Sequence, residues 1–206
     1  MTLQNRVQPT GEVLAIPARG TLMGNRGILH DDHQRLRVAR WRHPHWISCE
    51  LTFRGRHRKV MSPRAYTELF FLDEVTAMAA GHRVCAECRR VDYEAFRAAW
   101  GRAFGAQVKA GEMDRVLHAA RVTRRRQQVR HEAPADGLPA GTMVLSEGRT
   151  HAIRDGALLE YTPEGYTRKL TLPHGPGTVL TPAPLVAVLA AGYRPRWHES
   201  ATPRAD

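Results

Sequence analysis

Long apolar runs are what this chain most plainly lacks. No stretch approaches the roughly 20 residues of a membrane-spanning helix, and the opening "MTLQNRVQPTGEV" has no charged-then-apolar leader of the secretory kind. Cysteine is nearly as scarce, with three in 206 residues. Three thiols cannot pair off completely, which argues against a secreted disulfide framework and for a reducing, cytoplasmic setting. There is no P-loop-type glycine-rich segment, nucleophile elbow or HNH-type pairing, and no small-molecule cofactor is expected. Acidic residues are also short: 20 Asp and Glu against 31 Lys and Arg, a formal net charge of +11. What is present is enough apolar material for a core, 42% of residues, so general disorder is excluded.

The positive charge is unevenly spread. From residue 133 onwards seven basic residues meet seven acidic ones, leaving 24 basic and 13 acidic residues, and the whole excess, in residues 1–132. Such asymmetry points to a polyanionic partner for the first part. We therefore expect a basic domain over 1–132, a turn-rich linker over 133–138 and a small β-rich domain over 139–206.

Residues 1–20 read as an irregular lead-in. "CELTFRGRHRKVM" alternates and predicts one or two strands turning at Gly55, and "YTELFFL" predicts another strand. "DEVTAMAAG" predicts a short helix with Asp73 as N-cap and Gly81 as its stop. "DYEAFRAAWGRAF" places Tyr93, Phe96, Trp100 and Phe104 on one helical face. "EMDRVLHAARVTRRRQQVR" continues as a helix with Met113, Val116, Leu117 and Ala120 inward. After the linker, "TMVLS", "THAIR", "ALLEYT", "KLTL" and "GTVLT" predict a β-meander, and "APLVAVLAAG" a terminal helix. "MAAGHR" and "LAAGYR" share a helix end followed by Gly, a ring and Arg, a common helix-stop device. The fold class is α+β: a small metal-bound strand–helix module with added helices, then the meander and its helix.

Cys85 and Cys88 form a C-x2-C pair just after a helix stop, a spacing that lets two thiolates face one ion. Cys49 is the remaining cysteine, and His45 lies four residues before it in "HPHWISC". The expected ligand set is His45, Cys49, Cys85 and Cys88 around a structural zinc, with His33, His43 or His57 as substitutes for His45 and a redox pair as the rival reading.

"TELFFLDEVTAMAAGHRVCAECRR" resembles the metal-binding module of the Ada DNA-repair protein over residues 43–90. That module has a strand, a short helix ending "AAG" and a C-x2-C, with two further cysteines spaced C-x3-C upstream, where His45 and Cys49 stand here. Val84 stands in place of the usual proline, and the loop between the ligand pairs is longer. The resemblance implies a zinc-bound fold that docks on the DNA backbone. His45 occupies the place of the methyl-accepting cysteine, and an imidazole cannot be that thiolate, so DNA contact is implied without methyl transfer.

Three arginine runs carry the basic surface: Arg40 and Arg42 with Trp41 and Trp46 nearby; Arg54, Arg56, Arg58 and Lys59; and Arg124 and Arg125, followed by Arg126 and Arg130, on a helix end. Guanidinium groups suit phosphates and tryptophans stack on unpaired bases, so DNA is the expected partner. "GNRG" adds Asn25 and Arg26 as a further grip. Asp31 and Asp32, flanked by His30 and His33, and Glu68 among apolar neighbours are the candidate catalytic acids, with a polar, self-capped turn as the other reading of the first pair. The expectation is a zinc-containing DNA-binding protein acting on damaged or modified DNA, as a base-excising or strand-cleaving enzyme. The competing class is a non-enzymatic regulator or modified-DNA sensor.

Overall fold

The computed structural model describes residues 2–55 and 59–202. It is mixed α+β, with two six-stranded sheets and four α-helices among the described residues. The first sheet is built from β1 (Arg6–Val7), β2 (Val13–Leu14), β3 (Leu22–Asn25), β4 (Ile47–Glu50), β5 (Leu69–Phe71) and β6 (Arg83–Val84), in the spatial order β2-β1-β5-β3-β4-β6. β3 runs antiparallel to both β4 and β5, whereas β6 lies parallel to β4 and sets Val84 opposite Ser48.

The connection from β5 to β6 is α1 (Glu74–Ala79). Asp73 caps it, its Oδ1 accepting from the Thr76 N–H at 2.9 Å. Gly81 ends it at φ +84°, with its own N–H reaching Met78 O and the His82 N–H reaching Ala77 O, the paired bonds of a Schellman stop. All six helical residues are buried because the helix is wanted on every side. Ala77 packs with Leu22, Leu69 and Phe71, Val75 and Ala79 pack with Met143, Ala152 and Leu159, and Met78 joins the helical core.

That helical core is formed by α2 (Arg90–Phe104), α3 (Ala110–Arg121) and α4 (Ala183–Ala190), through Phe96, Trp100, Met113, Leu117, Leu185, Val188 and Leu189. The second sheet is antiparallel, ordered β11-β10-β9-β8-β12-β7, from β7 (His131–Pro134), β8 (Met143–Ser146), β9 (Arg149–Arg154), β10 (Ala157–Thr162), β11 (Gly165–Thr171) and β12 (Pro176–Val179). The five expected strands after the linker and the terminal helix α4 are present. α4 ends as α1 does, with Gly192 N–H on Leu189 O and Tyr193 N–H on Val188 O.

Several expectations are corrected. The lead-in holds β1 and β2, two-residue strands too short to leave a periodic signal. The strand expected through Cys49 stops at Glu50; residues 51–55 are bends and turns, and Arg56–Arg58 lie outside the described residues. The stretch 133–138 contains the end of β7 and a 3-10 turn over Ala135–Gly137. Val116 is exposed rather than inward, while Phe104, at the end of α2 and partly exposed, keeps its ring 4.7 Å from Trp100 on the expected face. α3 does not run through the arginines: Val122 is extended, and residues 122–128 form a tight hairpin closed by a Val122–Gln128 bridge. β-branched Val122 and Thr123 favour that departure from the helix.

Candidate functional site

The cysteines converge. Cys49 sits on β4, Cys85 follows β6 with its N–H on Ser48 O at 3.0 Å, and Cys88 closes the turn into α2. Their three sulfur atoms all lie within 4.8 Å of one another, close enough to hold one metal ion. All three are free thiols. Backbone N–H groups point at the sulfurs, Glu50 to Cys88 Sγ and Glu87 to Cys85 Sγ, both at 3.4 Å, the kind of support a thiolate ligand receives. Hydrogen bonds from the Cys49 and Cys88 thiols to Cys85 Sγ lower the Cys85 pKa, favouring a thiolate in the cluster.

His45 is not in this cluster, contrary to expectation. Its Nδ1 instead meets Asp114 Oδ2 at 2.7 Å, on a side chain that is 57% exposed. The ring is held there by Asp114, a buried residue of α3 that also pairs with Arg83. Among the described residues neither His33 nor His43 replaces it, and His57 lies outside them.

Beneath the cysteines lies a closed ionic network. Arg89, at the N-cap of α2, has a fully buried side chain; its Nη2 donates to Glu74 Oε2 at 2.7 Å and to Asp92 Oδ2 at 2.8 Å, and its Nη1 to Ser48 Oγ at 3.2 Å. Tyr193 Oη and the Arg196 N–H complete Glu74.

A second constellation has the opposite character. Trp46, 2% exposed, carries two guanidinium groups against its ring: Arg26 Cζ is 3.9 Å and Arg121 Cζ 4.0 Å from the centroid. Both arginines are buried, at 2% and 1% exposure. Their hydrogen bonds go to neutral groups only, Arg26 to His82 Nε2 and Ala80 O, Arg121 to Gly81 O, Pro44 O and His118 Nδ1. Among the described residues neither has a carboxylate within ion-pair distance. Gly81 is required here on two counts, since besides its positive φ a Cβ would meet Arg121 Cδ at 2.6 Å.

These residues floor a groove of about 560 Å³ between the 37–46 segment and the 121–130 hairpin. Five arginines line it, Arg26, Arg40, Arg121, Arg126 and Arg130, against a single acid, Glu12. Trp41 forms part of its wall, 5.8 Å from Trp46 and edge-on to His118 at 5.4 Å. Desolvation, and then the repulsion of Arg121 and Arg40, pushes the Arg26 pKa down; Arg121 is lowered chiefly by burial. His82 and His118 are lowered too, by burial first and the neighbouring arginines second. A guanidinium keeps its proton in nearly any protein setting, so these shifts reflect crowded, desolvated positive charge, which the nearby Asp114 carboxylate offsets only in part at Arg121.

The remaining candidates are spread more widely. Asn25 ends β3 and its Oδ1 accepts the Gly27 N–H, while Arg26 turns inward to the groove. Arg42 is exposed and its Nε donates to Ile28 O; Arg54 lies over Phe53, and Lys59 is exposed. Arg124 and Arg125 project from the hairpin tip rather than a helix, and Arg56 and Arg58 fall outside the described residues. Asp31 accepts from the N–H groups of His33 and Arg35, both at 2.9 Å, capping its own turn and thereby holding its pKa low. Asp32 is exposed. Glu68 is buried and accepts the Met61 N–H at 2.8 Å. The Asp31 loop and the Glu68 segment are joined by His30, bonded to Thr67 Oγ1 and Ser62 O, and none of the three acids lines the groove. Sequence reading missed Arg121 and His82: one is an ordinary last-turn helix residue and the other follows a helix stop, so neither carried a local signal.

Comparison of the chain with protein-family models, curated proteins and solved structures finds no match in any of them. No helix among the described residues is long and apolar enough to cross a membrane.

Proposed function

We propose that this chain is a zinc-stapled DNA-binding protein whose contact surface is the arginine–tryptophan groove. The observation that carries the reading is the buried pair Arg26 and Arg121, neither in an ion pair among the described residues, at the floor of a groove with five arginines and one acid. A buried charge without a partner is costly, and phosphate oxygens supply the missing hydrogen-bonded anion. Zinc is the metal that suits three clustered thiolates by softness. Held by Cys49, Cys85 and Cys88, it ties β4, β6 and the start of α2 together, in keeping with a docking module of the Ada type and with a reducing, cytoplasmic compartment.

Binding is favoured over base excision or strand cleavage by the acids themselves. Asp31 is committed to its own turn, Glu68 to the Met61 N–H, and neither they nor Asp32 faces the groove. The test uses the intact chain. Affinity for short DNA should fall by several powers of ten between low and high salt, with a log–log slope matching several neutralised phosphates, and no abasic site or nick should appear on plain, damaged or base-modified DNA. Salt-insensitive or absent binding refutes the proposal. A product that disappears in Asp31→Asn, Asp32→Asn or Glu68→Gln restores the enzyme reading.

A further inference from the structure

The groove differs from a flat basic surface in ways that specify the form of the nucleic acid. Its two strongest charges are at the floor, not the rim: Arg26 and Arg121 are almost wholly buried. Among the described residues, Arg121 Nε is a buried donor with no partner, and Gln128 Oε1, in the groove wall, is a buried acceptor with none. Gln128 cannot turn to relieve this, because its Nε2 is held by three carbonyls, Pro9 O, Ala79 O and Leu180 O. Trp41, half-buried in the wall, leaves part of an indole available beside these charges.

A duplex meets none of these demands well. Its phosphates ride on the outside of a stiff rod, its bases are stacked on one another, and a buried guanidinium below a wall of side chains is out of their reach. An unpaired nucleotide can enter a groove of about 560 Å³, of the size that holds small ligands. It offers a phosphate to the floor and a base face to an indole in the same step.

We propose that the groove takes an unpaired nucleotide of single-stranded nucleic acid, its phosphate at Arg26 and Arg121 and its base stacked on Trp41. This rests on the nucleic-acid reading above and narrows it. The exposed Arg124 and Arg125 on the neighbouring hairpin then follow the strand outside the groove, adding affinity without regard to strandedness.

The test compares a labelled 12-nucleotide oligothymidine, the matching oligouridine and a 12-base-pair duplex on the intact chain at one low salt concentration. The single strands should bind at least about tenfold more tightly than the duplex. Trp41→Leu should weaken single-strand binding about 5- to 150-fold, the range for loss of one base stack, and change duplex binding less than twofold. Thymidine monophosphate should quench tryptophan fluorescence in the wild type, and circular dichroism checks that the half-exposed Trp41 has been replaced without unfolding. Arg124→Ala with Arg125→Ala should weaken both forms alike. Duplex binding equal to or tighter than single-strand binding, or an equal loss on both in Trp41→Leu, overturns the inference and leaves the DNA-binding proposal standing. Absence of binding to all three overturns both.

Discussion

Arg89 and the pair Arg26–Arg121 are the same residue type buried to the same depth, in surroundings that could hardly differ more. Arg89 sits among Glu74, Asp92 and Glu50, and although burial works against its charge, Glu74 and its other partners together push its pKa up. Arg26 and Arg121 sit against Trp46 with carbonyls and imidazoles for company, and their pKa values are pushed down. The first arrangement is complete within the protein and serves its architecture. The second has no carboxylate in ion-pair contact among the described residues, and under the proposed function an external phosphate supplies the anion. Burial alone therefore does not separate an ion-paired arginine from one without a carboxylate; the identity of its partners does.

The largest effect should come from the cysteine side, where three clustered thiols could hold a metal. Cys85→Ser or Cys88→Ser in the full chain should lose nearly all of about one bound ion together with the cooperative unfolding transition, because metal binding and folding are one equilibrium at such a site. His45→Ala should keep its metal. Elemental analysis and circular dichroism read both outcomes, and a Cys85→Ser protein that folds normally in chelator would remove the structural role of the cluster.

A paired substitution addresses the comparison directly. Arg89→Met strands Glu74 in the core and should cost about 3–5 kcal/mol, lowering the melting temperature by roughly 6–20 °C for a chain of this size. Arg26→Met removes a charge that has no ionic partner, so its melting temperature should hold or rise while oligonucleotide affinity falls. Equal losses of stability in the two variants would show the distinction to be false.

The smallest effect is one of pH. His82 is wholly buried with its pKa well below the ordinary 6.5, through desolvation first and then Arg26 and Arg121. The unfolded chain takes up a proton near 6.5 that the folded one refuses, so His82 contributes stability that is full above that value and is lost as pH falls below it, by at most about 1.4 kcal/mol per unit. Denaturant titrations from pH 7.5 to 5 should show this slope, and His82→Gln should flatten it. A bound oligonucleotide should flatten it as well, by neutralising the arginines that repel the imidazolium. An unchanged slope in His82→Gln would detach the histidine from the charge cluster.

Much of the molecule was legible from local pattern. Asp73 and Gly81 announce α1 because capping and a left-handed stop are decided within a turn of chain. The short apolar stretches "THAIR" and "ALLEYT", set off by Gly-containing turns, announce β9 and β10 because turn residues punctuate the chain locally. Cys85 and Cys88 were recognisable by spacing, and Cys49 by scarcity. Less was legible where neighbours in space override neighbours in sequence. β1 and β2 exist because β5 offers an edge to pair with, and α3 stops at Arg121 because the chain turns back to line the groove.

The sequence by itself determined an α+β chain with a basic first part, a cysteine set scarce enough to be read as one cluster, and a balanced meander after residue 138. Only the tertiary structure decided which charges are satisfied. Arg26, Trp46, His82 and Arg121 come from β3's end, β4's approach, α1's exit and α3's last turn, and nothing in their local sequence distinguishes them from the paired Arg83 and Arg89. Whether a buried guanidinium finds a carboxylate is settled by what packs against it across long stretches of chain, and local sequence pattern does not encode that.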